Sequence, residues 1–174
     1  MEFFCPKDKK HLIKKDSSYF CGACNTSYPI ENGIPRFISS DFYWGEIPKE
    51  DMQEMLNIID EDGYDKGLDY LDEKHPGRSN FVFNISRSDW RFPIDIEPGM
   101  KVLDLGCGWG SNSFPLAQLG AQVYALDSTR ERVEFVRRRA DHEDYDNVIP
   151  LVGDVMIAPF KDDTFDLIIC NGVL

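Results

Sequence analysis

The architecture of this chain is organised by nine residues, VLDLGCGWG, at positions 102–110. They begin with an apolar run that contains the β-branched Val102, and this run predicts a buried strand. Three glycines then follow at alternate positions. Glycine adopts positive φ angles and has no Cβ, so a glycine-rich loop lets the backbone approach a ligand closely. A helical pattern comes next, and the free N–H groups at its start can meet a polar ligand.

The segments around this loop alternate between two patterns. Apolar runs predict strands at residues 101–105, 122–126, 148–152 and 165–170. Helical patterns separate the first three strands, one over residues 111–119 and one after Ser128, where Ser128 and Glu131 have the spacing of a capping box. Strands that alternate with helices indicate an α/β fold with a Rossmann-like, doubly wound parallel sheet.

A polar side chain stands at the end of each predicted strand. These residues are Asp104 beside the glycines, Asp127 after the second strand, Asp154 after the third and Asn171 after the fourth. Because ligands of open parallel sheets bind beyond the carboxyl ends of the strands, we expect these groups to share one site. Asp127 follows the glycine loop by about twenty residues, a distance at which a carboxylate can accept hydrogen bonds from ribose hydroxyls.

The loop favours a cationic cofactor over a dinucleotide. G-x-G-x-G alone also suits a nicotinamide enzyme, but the third glycine of the G-x-G-x-x-G fingerprint would fall at Ser111, and this sequence has it at Gly110. Asp104 stands two residues before the first glycine, where a carboxylate would repel a pyrophosphate. A cofactor that carries an ammonium and a sulfonium group would instead be attracted.

At these residues the sequence resembles the class I S-adenosylmethionine-dependent methyltransferases. The resemblance covers residues 98–174 and rests on DLGCGWG (104–110), LD (126–127), GD (153–154) and FDLIICNGVL (165–174). It implies methyl transfer from S-adenosylmethionine. The fourth motif lacks the Pro-Pro-aromatic segment typical of enzymes that methylate exocyclic amines of nucleic-acid bases. The family sheet has seven strands and the chain ends at Leu174, so we expect a truncated protein that keeps the cofactor half and lacks the substrate loops.

The resemblance also implies a role for single residues. The loop backbone at Gly106, Gly108 and Gly110 would pass the methionine moiety, with Asp104 near its ammonium group. Asp127 would bind the ribose hydroxyls, and Asp154 would take the adenine amino group with Val155 packed on the ring. Asn171 would lie beside the transferring methyl. No catalytic residue is assigned, because the sulfonium is already an activated donor and no general base is identified.

The first 40 residues hold a candidate metal site. The segments CPKD (5–8) and CGAC (21–24) have the spacing of the two knuckles of a zinc ribbon, which gives Cys5, Asp8, Cys21 and Cys24 as ligands. Asp8 stands where a fourth cysteine is usual, and His11 is a substitute; the alternative is a metal-free ribbon held by aromatic packing. A turn at Asn32-Gly33 predicts a hairpin within residues 27–38. The pattern resembles the small zinc-ribbon domain found alone or fused to methyltransferases.

Residues 41–97 form an acidic connecting region with a net charge of −9. Apolar residues at helical spacing predict a helix that ends near Gly63: Met52, Met55, Leu56 and Ile59. A second helix is expected over residues 67–73. In SRSDWRF (86–92), Arg87 or Arg91 could meet a carboxylate above the cofactor, or Trp90 could pack on the sheet edge.

Composition restricts the partners. The net charge of the 174 residues is −12, and only residues 1–40, at +2, offer a cationic surface, which argues against a nucleic-acid substrate. No apolar run approaches the roughly 20 residues of a membrane span. The N-terminus has no signal-peptide pattern, and the five cysteines suit a reducing compartment, so we expect a cytoplasmic protein.

Four functions compete on this evidence. The acidic composition favours a methyltransferase of a small-molecule, lipid or glycan acceptor. A zinc ribbon ahead of such a domain also resembles the rRNA guanine-N1 methyltransferases. A non-catalytic S-adenosylmethionine-binding module and a nicotinamide oxidoreductase are the remaining alternatives. The apolar fourth strand would have an uncovered edge in a truncated chain, which predicts self-association.

Overall fold

The computed structural model describes residues 2–38, 40, 42–91 and 93–173, so Phe92 and Leu174 of two predicted segments lie outside the described residues. The N-terminal residues form an antiparallel sheet in the order β1-β2-β3-β4. Its strands are β1 (Ile13–Lys14), β2 (Ser18–Cys21), β3 (Thr26–Glu31) and β4 (Ile34–Pro35). Asn32 and Gly33 have φ angles of 51° and 78°, and Glu31 pairs with Ile34. The predicted hairpin is therefore confirmed.

The connecting region is helical. It contains α1 (Lys49–Asp62), α2 (Tyr64–Lys74), α3 (Arg78–Phe83) and a 3₁₀ segment (Ile85–Arg91). The four apolar residues predicted for the first helix are all buried, and Gly63 ends that helix as expected. They pack with Trp109 and Phe135 in one apolar cluster. None of the helices in the described part of the chain has the length and apolar character needed to cross a bilayer.

The second sheet is parallel and has the order β7-β6-β5-β8. Its strands are β5 (Lys101–Leu105), β6 (Gln122–Asp127), β7 (Val148–Val152) and β8 (Leu167–Cys170). Helices α4 (Ser113–Gln118) and α5 (Arg130–His142) connect the first three strands, and a short 3₁₀ turn (Val155–Ile157) follows β7. The predicted α/β architecture is confirmed. β8 begins two residues later than expected, because Phe165 packs edge-on against the rings of Tyr124 and Phe160 before the strand starts.

The capping-box prediction for α5 is wrong. The residue before α5 is Thr129, and neither it nor Ser128 caps the helix with its side chain. The Thr129 hydroxyl instead accepts a hydrogen bond from the backbone N–H of Trp44 and donates one to the carbonyl of Trp44, both at 3.3 Å. A tertiary contact to the connecting region thus replaces a local cap.

Different elements pack on the two faces of the parallel sheet. On one face, Val102, Val123 and Ala125 pack against residues of α4 and α5. On the other face, Leu103, Tyr124 and Leu126 share a cluster with side chains of the N-terminal antiparallel sheet and the turns around it, which we call the N-terminal module (residues 2–38): Phe3, Leu12, Tyr19, Tyr28 and Phe37. The module therefore acts as the second layer that a doubly wound sheet requires.

The edges of the parallel sheet also differ. Next to β7, the backbone N–H of Phe37 donates to the carbonyl of Val152 at 2.7 Å, and Arg36 forms a parallel bridge with Val152. Among the described residues, β8 pairs only with β5, and Ile168 on it is 57% exposed. Self-association through this edge stays a prediction.

Candidate functional site

A cavity of about 310 Å³ opens at the carboxyl ends of the parallel strands. Of the residues expected at the cofactor site, Gly106, Asp127, Asp154 and Val155 line it together. The parallel topology explains this meeting, because strands that run in one direction deliver their carboxyl ends to one edge. The other lining residues are Phe42, Trp44, Ser128, Thr129, Arg132, Gly172 and Val173.

The glycine loop needs its glycines for two reasons. Gly106, Gly108 and Gly110 have φ angles of 71°, 54° and 80°, a region that favours glycine. At Gly106, which lines the cavity, a Cβ would also collide with the side chain of Val173. At Gly110 a Cβ would lie 2.6 Å from the Phe114 ring, so this glycine allows α4 to pack closely and does not line the cavity.

Asp127 is held in place by backbone donors. One of its oxygens accepts from the N–H of Gly108 at 2.9 Å, and the other accepts from the N–H of Thr129 at 2.8 Å. The residue is 7% exposed. Each carboxylate oxygen can accept two hydrogen bonds, so the fixed group retains capacity for hydroxyl donors in the cavity.

Asp104 lies behind the loop. It is 1% exposed and does not line the cavity. One oxygen accepts from the hydroxyl of Ser113 at 2.6 Å, whereas Oδ1 is buried without a hydrogen-bond partner among the described residues. Burial raises the pKa of Asp104 to about 6, with the Ser113 hydrogen bond opposing this rise and the charge of Asp127 adding to it. A partly neutral carboxyl group here would ionise fully beside a cation.

Asp154 and Asn171 end in different environments. Asp154 accepts a hydrogen bond from the backbone N–H of Met156 at 2.8 Å, which turns the chain after β7 and orients the carboxylate at the cavity wall. Val155 is half-buried next to it. Asn171 is exposed and does not line the cavity, although the next two residues do.

Two lining residues that the sequence analysis did not place at the site, Phe42 and Trp44, come from the connecting region. Phe42 forms a parallel bridge with Thr129, and the Thr129 hydroxyl pairs with the backbone of Trp44. The Arg132 guanidinium lies 4.8 Å from the centre of the Trp44 ring and forms an ion pair with Glu46 at 2.5 Å. Phe42 and Trp44 are 51% and 58% exposed, so two exposed aromatic side chains border the cavity. The three consecutive aromatic residues at 42–44 are the sequence feature that could have predicted this wall.

The predicted arginine contacts lie elsewhere. Arg87 stacks on the ring of Phe81 at 3.8 Å, and Arg91 donates to the carbonyl of Ser88 at 2.8 Å; neither lines the cavity. Trp90 donates through Nε1 to Asn112 at 3.0 Å and packs against the helix-covered side of the sheet. Of the two alternatives for this segment, the structure therefore has the packing of Trp90 on the sheet.

The four candidate metal ligands converge in the N-terminal module. The ligand atoms of Cys5, Asp8, Cys21 and Cys24 all lie within 4.8 Å of one another. The sulfurs of Cys5 and Cys24 are 3.6 Å apart, and the nearer carboxylate oxygen of Asp8 is 3.4 Å from the Cys21 sulfur. The backbone N–H of Lys10 donates to Asp8 and holds the pKa of that carboxyl below its usual range. His11, the substitute ligand, instead faces Glu2 and the Phe4 ring.

Comparison with known proteins identifies the second half of the chain. The family described as "Methyltransferase domain" matches residues 96–174. A cypemycin N-terminal methyltransferase of Streptomyces sp. is 40% identical over 76 residues, which are 44% of this chain and 28% of that protein. A sterol methyltransferase-like protein of Botryococcus braunii is 37% identical over 97 residues, 52% of this chain and 24% of its own length. A 23S rRNA uracil-C5 methyltransferase of Enterobacter sp. is 35% identical over 82 residues, which are 45% of this chain and 19% of that protein.

These matches span only about a quarter of each relative, and the relatives differ in their named acceptors. The family match covers the glycine loop and the strands β5 to β8. The strand order, the loop and the family match therefore agree on one assignment. Residues 96–174 match the methyltransferase domain family, and together these findings support a class I S-adenosylmethionine-dependent methyltransferase.

Proposed function

We propose that this protein transfers the methyl group of S-adenosylmethionine to a small-molecule, lipid or glycan acceptor, and that the cofactor occupies the cavity at the strand ends. The observation that carries the proposal is Asp127, a nearly buried carboxylate fixed by two backbone N–H groups beside the glycine loop in that cavity. Such a carboxylate is suited to a pair of ribose hydroxyls.

The cavity fits the cofactor in its polarity. Its wall carries the carboxylates Asp127 and Asp154. Arg132, the one cation among the described lining residues, is paired with Glu46. Hydroxyl and amino donors and a positively charged sulfonium suit this lining, whereas a pyrophosphate would face two carboxylates. The buried oxygen of Asp104 that has no hydrogen-bond partner among the described residues adds negative potential behind the loop.

The proposed roles follow the strand order. The glycine-loop backbone would hold the methionine moiety in front of Asp104, and Asp127 the ribose. At the end of β7, Asp154 would accept from the adenine amino group, with Val155 against the ring. Asn171, one residue beyond β8, would face the methyl carbon after a local rearrangement, because its side chain is exposed.

The bound sulfonium would supply an activated methyl group. The protein then has to hold the acceptor in line with the methyl–sulfur bond and to exclude water. Phe42 and Trp44 are the residues suited to this, because they border the cavity with exposed aromatic surface on a hydrogen-bonded backbone. We propose no general base.

The acceptor class rests on charge. Residues 41–97, which provide the aromatic wall, have a net charge of −9, and this opposes a polyanionic substrate. The second candidate is an rRNA methyltransferase, favoured by the N-terminal module with its net charge of +2. Binding of a structured RNA that weakens steeply with salt would support the second candidate and overturn the first.

We also propose that Cys5, Asp8, Cys21 and Cys24 bind Zn²⁺. A tetrahedral zinc with sulfur ligands at about 2.3 Å requires ligand atoms about 3.5–4 Å apart, and the cluster is already close to this spacing. Three potential thiolates and one carboxylate form a donor set that zinc accepts. Metal analysis of the purified protein tests the proposal, and a zinc content far below one per chain would refute it.

Cofactor binding is tested by calorimetry with Asp127→Asn. The substitution keeps the size of the side chain but removes its charge and one acceptor oxygen, so we expect S-adenosylmethionine affinity to fall about tenfold to a hundredfold. Asp162→Asn, on an exposed residue outside the cavity, is the matched control and should bind like the parent. Equal affinities of the parent and Asp127→Asn would refute the proposed site.

A further inference from the structure

A second and larger cavity, of about 410 Å³, lies where the N-terminal module meets the end of β7. The module contributes Lys7, Thr26, Ser27 and Arg36 to its wall, and the methyltransferase domain contributes Asp154 and Ile157. Asp154 also lines the cofactor cavity, so the two cavities adjoin at this residue. The volume lies within the range of about 300–1,000 Å³ that is typical of small-molecule sites.

The polar groups of this second cavity are mainly donors. In a chain of net charge −12, it brings together the cations Lys7 and Arg36, and Arg36 also forms an ion pair with Glu31 at 3.7 Å. The ammonium of Lys7 donates to the Thr26 hydroxyl at 3.2 Å, which holds it at the wall. The hydroxyls of Thr26 and Ser27 can donate as well. Cations and hydroxyls that converge in this way are suited to an oxyanion such as a phosphoryl group.

Asp154 makes the cavity asymmetric. A phosphoryl group near this carboxylate would be repelled, so it belongs at the module side, next to Lys7 and Arg36. The part of the ligand that reaches Asp154 should instead donate hydrogen bonds. A compound with a phosphoryl group at one end and hydroxyl groups at the other satisfies both sides.

We propose that this cavity binds a phosphorylated polyol, of the sugar phosphate or nucleoside monophosphate type, at the same time as the cofactor. Because Asp154 borders both cavities, each ligand changes the affinity for the other. This coupling rests on the proposed cofactor site, whereas binding of the phosphorylated ligand itself does not.

The test is titration calorimetry with ribose 5-phosphate, with inorganic phosphate and with ribose, on the protein alone and on the protein saturated with S-adenosylhomocysteine. Ribose 5-phosphate should bind in both states and more tightly than phosphate or ribose. Lys7→Gln should weaken it about tenfold, the usual loss for a charge-assisted hydrogen bond, and Lys7→Arg should restore most of the affinity. Lys15→Gln is the matched control, because Lys15 lies over the Phe20 ring and outside the cavity.

Three results would overturn the inference. The first is no binding of ribose 5-phosphate in either state. The second is an equal loss in Lys7→Gln and Lys15→Gln, which would indicate general charge attraction. The third is displacement of ribose 5-phosphate by S-adenosylhomocysteine, which would put it in the cofactor cavity. Failure of S-adenosylhomocysteine to bind, with ribose 5-phosphate still bound, would refute the proposed function and leave this site standing.

Discussion

Phe37→Ala separates two views of the N-terminal module: an independent appendage, or the second layer of the parallel sheet. Phe37 is 3% exposed, and its ring lies 5.1–6.0 Å from the rings of Phe3, Tyr19 and Tyr28. Its backbone N–H bonds to the carbonyl of Val152, and this bond is independent of the side chain. The substitution therefore removes packing and leaves the strand contact.

The magnitude follows from the buried ring. A buried phenylalanine removes about 150–250 Å² from water, and at about 25 cal/mol per Å² this gives an upper value of about 4–6 kcal/mol. Phe→Ala substitutions in protein cores cost about 3–5 kcal/mol. We expect a loss near 4 kcal/mol in the free energy of unfolding, a large share of the roughly 5–15 kcal/mol of a typical domain.

The assay uses the position of the tryptophans. All three, Trp44, Trp90 and Trp109, lie outside the module, so their fluorescence reports unfolding of the rest of the chain. In urea, Phe37→Ala should shift the fluorescence midpoint as far as the midpoint from far-ultraviolet circular dichroism. Ile13→Ala, on a 56% exposed residue of β1, should change stability by less than about 0.5 kcal/mol. An unmoved fluorescence midpoint in Phe37→Ala would refute the view that module and sheet form one cooperative unit.

Three other predictions concern the site and the metal cluster. Burial raises the pKa of Asp104 from an ordinary value of 3.8 to about 6. The protonated carboxyl therefore stabilises the fold below about pH 4, and this stabilisation is lost as the pH rises through 6. Between about pH 4 and pH 7, the free energy of unfolding of the parent should therefore fall by about 2–3 kcal/mol relative to that of Asp104→Asn. Urea unfolding at both pH values measures this difference, and parallel pH profiles of the two proteins would contradict the prediction. Trp44→Ala should weaken S-adenosylmethionine binding several-fold, by about 1 kcal/mol, without lowering the melting temperature, whereas Trp90→Ala should lower the melting temperature. Asp8→Cys should slow the loss of zinc to a chelator, because a fourth thiolate replaces a carboxylate; faster loss would show that Asp8 is the better ligand at this position.

The sequence predicted the features that local patterns determine. The bounds of β5 and β7, the hairpin turn and the buried face of α1 follow from residue spacing within about fifteen positions. The sequence also predicted that Gly106, Asp127 and Asp154 share one site, because parallel topology brings strand ends together. The burial of Asp104 and the packing role of Gly110 were not predicted, because they depend on Ser113 and Phe114 across a turn.

Long-range packing accounts for what local patterns missed. The bond between Thr129 and Trp44 joins residues 85 positions apart, and the bond between Phe37 and Val152 joins more distant ones. Neither pairing leaves a periodic signal in the sequence. The capping-box prediction at Ser128 failed for the same reason, since a tertiary partner took the Thr129 hydroxyl.

The cover of the parallel sheet links the metal cluster to the cofactor cavity. A module of about 40 residues is too small to bury a sufficient core by itself, and a parallel sheet is unstable with one face in water. Each part therefore depends on the other. Tyr28 connects them: its hydroxyl lies 3.2 Å from the Cys5 sulfur, its ring packs on Phe37, and Phe37 bonds to Val152, two residues before Asp154. Zinc that stabilises the cluster would by this route stabilise the adenine end of the cavity, so metal removal should weaken cofactor binding as well as the fold.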